Sequence, residues 1–286
     1  MHLFLALTSA MVLGSADFVG GLATKRARAL AVVCWSNIAG LLTALAFTGL
    51  LSHGGTGWSE AAWGGLAGLC GSLGAVLLYH ALANGVMSLV APTTAAAAAA
   101  LPVIAGVLLG DRLTALAVVG VLCALGSVLL VSLTGDGGAG GDGIPADRKK
   151  TLRTLGTALT AGAGFGLFFV FLARTPGEAG LWPLVWARCA SLTLLLLLSL
   201  GRGTPLRLTG RTRGLALLSG VLDMGASVLY LVAVRDGSLA VVGLLASLYP
   251  LSTVLLARFV LQEHIRGIQH VGVILAVGSV LLLAWG

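Results

Sequence analysis

Three charged side chains, Asp17, Arg188 and Asp223, sit inside otherwise apolar segments. An ionised group held at the centre of a lipid-embedded helix costs roughly 2.5–3.5 kcal/mol, so each of the three must be paired, hydrated or in use. Arg188 and Asp223 lie on consecutive apolar segments at similar depth. They can neutralise one another, or Arg188 can receive an anionic or carboxylate group. Asp17 has no partner of that kind in the sequence, which makes it the candidate for binding and releasing a proton, since a carboxylate withdrawn from water holds a proton more readily. The alternative is that it accepts a hydrogen bond from backbone freed elsewhere. Tyr230 and Tyr249 pair an apolar ring with a hydroxyl, which suits a cavity wall, whereas Tyr79 reads as an interface anchor. Trp186, like Trp35, lies deeper than the tryptophans at the span ends, so an interface role and a cavity role both stay open, and Trp186 is a candidate for the latter. Pro92, Pro102 and Pro250 each remove a backbone donor and free a carbonyl in the preceding turn, so they are candidate helix breaks or packing kinks.

The elements that carry these residues follow from composition. Of 286 residues 58% are hydrophobic and only 9% are charged, and the mean hydropathy is +1.03. Such a chain has lipid as its solvent. A span needs about 20 apolar residues, and the apolar runs predict helices near 3–22, 30–51, 61–83, 87–109, 113–133, 154–173, 180–200, 214–235, 238–260 and 268–285. The expected fold is all-α, a polytopic membrane protein of ten transmembrane helices. Residues 3–22 read as a retained first helix, because their cations follow the apolar stretch instead of preceding it. Small residues at Gly64, Gly68 and Ser72 and from Ala95 to Ala100 predict close helix approach.

The two sides of the chain resemble each other. Gly126-Ser127-Val128-Leu129-Leu130 matches Gly278-Ser279-Val280-Leu281-Leu282 at a shift of 152, and Asp111 meets Glu263. At a shift of 151, Tyr79 meets Tyr230, Trp35 meets Trp186 and Phe18 meets Phe169. Residues 1–134 and 154–286 are therefore expected to be two five-helix repeats, joined by a flexible Gly- and Asp-rich linker at 135–153. Five is odd, so the second repeat enters the bilayer upside down. Inverted repeats of this kind are typical of secondary transporters that rock about a midplane site.

Three segments carry a family resemblance: LGSADFVGG at 13–21, VLLGDRLTALAVVGVLCALGSVLL at 107–130, and LYPLSTVLLARFVLQEHIRGIQHVGVILAVGSVLLL at 248–283. Together with the repeat they make the chain similar to the EamA-type, ten-helix branch of the drug/metabolite transporter superfamily. Leu13 stands where that family often has Trp, and Pro102 lies four residues after the position matching Pro250. The resemblance implies a solute carrier, commonly an exporter of metabolites, amino acids or drugs, with its cavity among helices 1, 3, 4, 6, 8 and 9. Alternating access, with protons as a candidate coupling partner, is the expected mechanism; a membrane-embedded enzyme and a membrane assembly partner are the alternatives.

Other classes fare poorly. GAGFG at 162–166 and GDGGAGGDG at 135–143 lack the strand and the Lys-Ser/Thr pair of a phosphate loop, and no GxSxG, HExxH or Cys/His cluster is present. Cys34, Cys70, Cys123 and Cys189 lie in apolar spans without paired spacing and read as packing residues. No cofactor or metal is expected, nor a nucleic-acid partner: the net charge of +7 comes from cations gathered between spans. The expected partners are a small-molecule solute and the lipid bilayer, with the chain a monomer or homodimer. Twelve of the 17 Lys and Arg fall in loops 1–2, 5–6, 7–8 and 9–10, and three, Arg112, Arg174 and Arg235, in the alternate loops. In a bacterial-type plasma membrane this bias predicts both termini outside, opposite to the family habit of drawing them in the cytoplasm.

Overall fold

The computed structural model describes residues 1–51, 57–84, 87–111, 113–132 and 148–261, and beyond them 271, 274–275, 278–279 and 281–282. The described residues form helices and short connections, with no strand among them. In order the helices are α1 (His2–Thr24), α2 (Ala29–Leu51), α3 (Trp58–Asn84), α4 (Met87–Leu108), α5 (Ala115–Ser132) and α6 (Arg148–Ala173), followed by α7 (Trp182–Gly201), α8 (Gly210–Asp236), α9 (Leu239–Ala246) and α10 (Tyr249–Leu261). Among the described residues, α1, α2, α3, α6, α7 and α8 are each long and apolar enough to cross a membrane. The tenth expected span, 268–285, lies outside the described residues apart from the few named above.

Two expectations change. The span expected at 238–260 is two helices, because the chain turns at Ser247–Leu248 before restarting at Tyr249. Pro250, second in α10, has no N–H to give the Ala246 carbonyl, so the ladder cannot run unbroken across that point. By contrast α4 is continuous from Met87 to Leu108, with Pro92 and Pro102 inside it. The buried Pro102 ring fills the place where Gly243 of α9 has no side chain. The linker also ends earlier than expected, since residues 148–153 already belong to α6, while 133–147 lie outside the described residues.

Packing is close because small residues let backbones touch. A Cβ at Gly68 on α3 would collide with the Ala187 carbonyl on α7, and one at Gly220 on α8 with the Ser36 carbonyl on α2. Gly14 on α1 likewise lies against the Tyr249 carbonyl, and Gly166 on α6 against Leu101 of α4. The principal pairs are α1 with α8, α3 with α6 and α7, α4 with α6, and α2 with α8. All four cysteines are free. The core centres on α9, where Leu239, Ala240 and Val242 through Ala246 are all buried.

Asp111, just after α4, ties α9 into this core. Its Oδ2 accepts from the Ser238 hydroxyl and from the Ala240 N–H, both at 2.9 Å. Ser238 Oγ in turn caps the Val241 N–H at 3.3 Å. A carboxylate at a helix N-terminus satisfies donors that the helix itself leaves open.

Candidate functional site

At the centre of the bundle Arg188 of α7 forms an ion pair with Asp223 of α8. The guanidinium side chain is 12% exposed and the carboxylate 28%. Two further groups surround the cation. Nη1 donates to Asn37 Oδ1 on α2 at 3.4 Å, and Nη2 reaches Ser227 Oγ at 3.5 Å. Asn37 is buried and gives its own N–H to the Val33 carbonyl at 3.0 Å, which leaves its oxygen toward Arg188. Ser227 donates to the Asp223 carbonyl at 2.9 Å, so its oxygen is an acceptor for the arginine. Gly40 makes room: a Cβ there would stand 3.2 Å from Arg188 Nε. One cation is thus held by three helices, with its carboxylate on the next helix along the chain.

Asp17 lies nearby. On α1, Ser9 Oγ donates to Ala226 of α8 at 2.7 Å and Ser219 Oγ donates to Ala16 at 2.9 Å. These two rungs set the antiparallel register, in which Asp17 stands roughly 7 Å along the axis from the level of Asp223 by helical rise. The two carboxylates are close enough to feel each other's charge, and Tyr249 is close enough to feel that of Asp17. Along the stripe Ala6, Ala10, Leu13, Asp17 the first two residues are buried and Asp17 is exposed. Among the described residues Asp17 accepts no hydrogen bond and has no ion-pair partner.

The other candidates are distributed around this centre. Tyr230 is buried, packs its ring at a tilt of 54° against Phe169 at 4.7 Å between ring centroids, and donates its hydroxyl to the Phe169 carbonyl at 3.0 Å. Tyr249 opens α10, whose Thr253 donates to the Gly14 carbonyl at 3.1 Å, so the restart of the broken helix abuts the segment of α1 that carries Asp17. Trp186, 38% exposed, lies on the outer side of α7 from Arg188. Its repeat counterpart Trp35 donates to the Leu206 carbonyl at 2.8 Å and carries Arg213 over its ring. The side chains of Pro92, Pro250 and Tyr79 lie outside the described residues. Sequence reasoning missed Asn37 and Ser227. Asn37 had a signal, since it is 151 residues before Arg188, the same shift that matches Trp35 to Trp186.

Residues 152–285 match the sequence profile of the EamA-like transporter family. Over that stretch, a little under half of its length, the chain is similar to the EamA-like transporter family. That family is part of the drug/metabolite transporter superfamily, whose members are membrane transporters and not enzymes, and the apolar spans agree with an integral membrane protein of that type. A protein of known crystal structure overlays on 98% of this chain and on 96% of its own, with a TM-score of 0.76 at 18% identity, so the fold extends through both halves. No curated protein sequence matches this chain.

Proposed function

We propose that this EamA-like protein is a secondary transporter that exports a small organic solute (a metabolite, amino acid or drug) by alternating access, coupled to protons through Asp17. The observation that carries the reading is the charge set in the apolar spans, an Arg188–Asp223 ion pair with a third charge, Asp17, near enough to Asp223 to feel its charge, in a bundle whose second half resembles a transporter family. A structural pair would need only Arg188 and Asp223. The third charge lies on α1, in the segment that α10 abuts, and an ionisable group within a span is a functional candidate.

The inverted-repeat reading draws support from packing. Exchanging the halves turns the α1–α8 pair into α6–α3 and the α2–α8 pair into α7–α3, and all four pairs are in contact. The same exchange turns Gly68 against Ala187 into Gly220 against Ser36, both of which are carbonyl contacts at a missing side chain. Arg188 and Asn37 exchange with each other and meet in the middle. Two similar bundles around one central site are what rocking between two openings requires.

Counterflow tests the carrier reading. Proteoliposomes preloaded with a candidate metabolite are expected to accumulate its labelled form above the level of empty controls, and a panel in which no solute exchanges would sink the reading. Orientation is tested separately. The cation bias supports both termini outside, so a C-terminal reporter active only in the cytoplasm should stay dark; a bright one would reverse the orientation.

A further inference from the structure

A second charged site lies at the end of the bundle, away from Asp17 and Arg188. The turn between α1 and α2 and the connection before α8 border an open cleft of about 200 Å³, lined by the exposed Arg26, Arg28 and Arg207 together with Ala31, Pro205 and Thr209. No carboxylate lines it, and none of the three arginines forms an ion pair among the described residues. Like charges gathered into one cavity repel, and an anion is what relieves that repulsion. Two helices add to the field: α2 begins at Ala29 and α8 at Gly210, neither has an acidic residue in its first turn, and the residue before α8, Thr209, makes no side-chain cap. The first N–H groups of α8 and those of Ala29 and Leu30 in α2 present partial positive charge where the arginines already do, while the Ala31 and Val32 N–H groups are taken by the Arg28 carbonyl.

The cavity is also preformed. Beneath it Ala23, Val32 and Ala216 make a small core of their own, packed by Ala27, Trp35 and Leu208. The Trp35 N–H holds the Leu206 carbonyl at 2.8 Å and so fixes the loop that carries Arg207. Because α1, α2 and α8 are membrane-length apolar helices, a cavity at the end of one and the beginnings of the other two stands at the level of lipid headgroups.

We infer that this cavity is a binding site for a phosphate-bearing anion, a site separate from the transport centre. A planar guanidinium matches phosphate oxygens in pairs, and basic pockets at the end of transmembrane helices suit anionic headgroups. Phosphatidylglycerol in the adjoining leaflet and free inorganic phosphate share this chemistry.

Delipidated protein in neutral detergent, titrated with short-chain phosphatidylglycerol, short-chain phosphatidylcholine or inorganic phosphate and read by native mass spectrometry, tests the site. Wild-type protein is expected to retain phosphatidylglycerol at least about tenfold better than phosphatidylcholine, and R26Q/R28Q/R207Q to weaken it on the order of a hundredfold, at about fivefold per cation. Arg207→Gln alone, in an exposed loop, should weaken it about fivefold with an unchanged melting temperature, which covers the case in which the triple variant does not fold. Arg153→Gln, on the same face but outside the cavity, should bind as wild type. Displacement of the lipid by inorganic phosphate would assign the site to the free anion, and its retention would assign it to lipid. Equal anion binding by wild type and the arginine variants, or an equal loss in Arg153→Gln, overturns the inference.

Discussion

Arg188→Ala and Asp223→Ala are each expected to destabilise the protein by about 3–5 kcal/mol, and the double variant by much less than their sum. Removing the arginine leaves Asp223 midway along α8 with no cation among its partners. Removing the aspartate leaves Arg188 with Asn37 and Ser227 only, at 3.4 and 3.5 Å. Both exceed the 2.7–3.2 Å of a good N–H···O bond, so neither replaces the carboxylate. The larger part of either loss is therefore the desolvation of an unpaired ion. Removing both partners removes both ions, and the cost falls to that of a small cavity. Thermal melting of the two single variants and the double variant in one detergent reads the coupling directly, and the double variant is expected to lose no more than either single variant. Strictly additive losses would show that the two charges do not act as a pair.

The pairing of Arg188 with Asp223 was legible because burial cost leaves an intramembrane ion few alternatives, and consecutive helices at equal depth offer the nearest one. The helices themselves were legible for the same reason, since lipid requires every backbone group to be satisfied within the segment. The break in the ninth span was legible only in part. Pro250 announced that a carbonyl would go unpaired, but the turn falls two residues earlier at Ser247–Leu248, and Pro102 in α4 breaks nothing. A proline removes one donor; whether the helix stops depends on what packs there, and Pro102 is clasped by Gly243. The partner of Tyr230 could not be read at all. Its hydroxyl finds the Phe169 carbonyl across 61 residues of chain, a contact fixed by helix rotation. Asp111 is intermediate: its match to Glu263 marked an acidic turn, but that it caps the first turn of α9 appears only once α4 and α9 are packed together.

The remaining charge is the one that a stability argument does not use. Asp17 feels the charge of Asp223, and the one arginine of that centre is already committed to Asp223. Moving between a site open to one face and a site open to the other, an uncompensated carboxylate would cross with its charge exposed to lipid or low-dielectric protein. Binding a proton, or a cationic solute, removes that cost. On the proposed mechanism this would tie the motion to occupancy, the unoccupied, charged form resisting reorientation and the occupied form not.

Asp17→Asn keeps the size and polarity of the side chain and cannot titrate. With one proton per solute, a gradient of one pH unit supplies about 1.4 kcal/mol and supports about tenfold accumulation of solute in proteoliposomes. The variant is expected to lose that accumulation, equilibrating solute to about onefold, while still exchanging labelled for unlabelled solute across the membrane. The neutral side chain no longer has to be discharged before the protein reorients, so exchange should also become insensitive to pH. A purely structural Asp17 predicts a different pattern: exchange and accumulation would fall together with expression and melting temperature, and whatever transport survived would still follow the pH gradient. Wild-type accumulation by the Asn variant under the same gradient would remove Asp17 from the coupling mechanism.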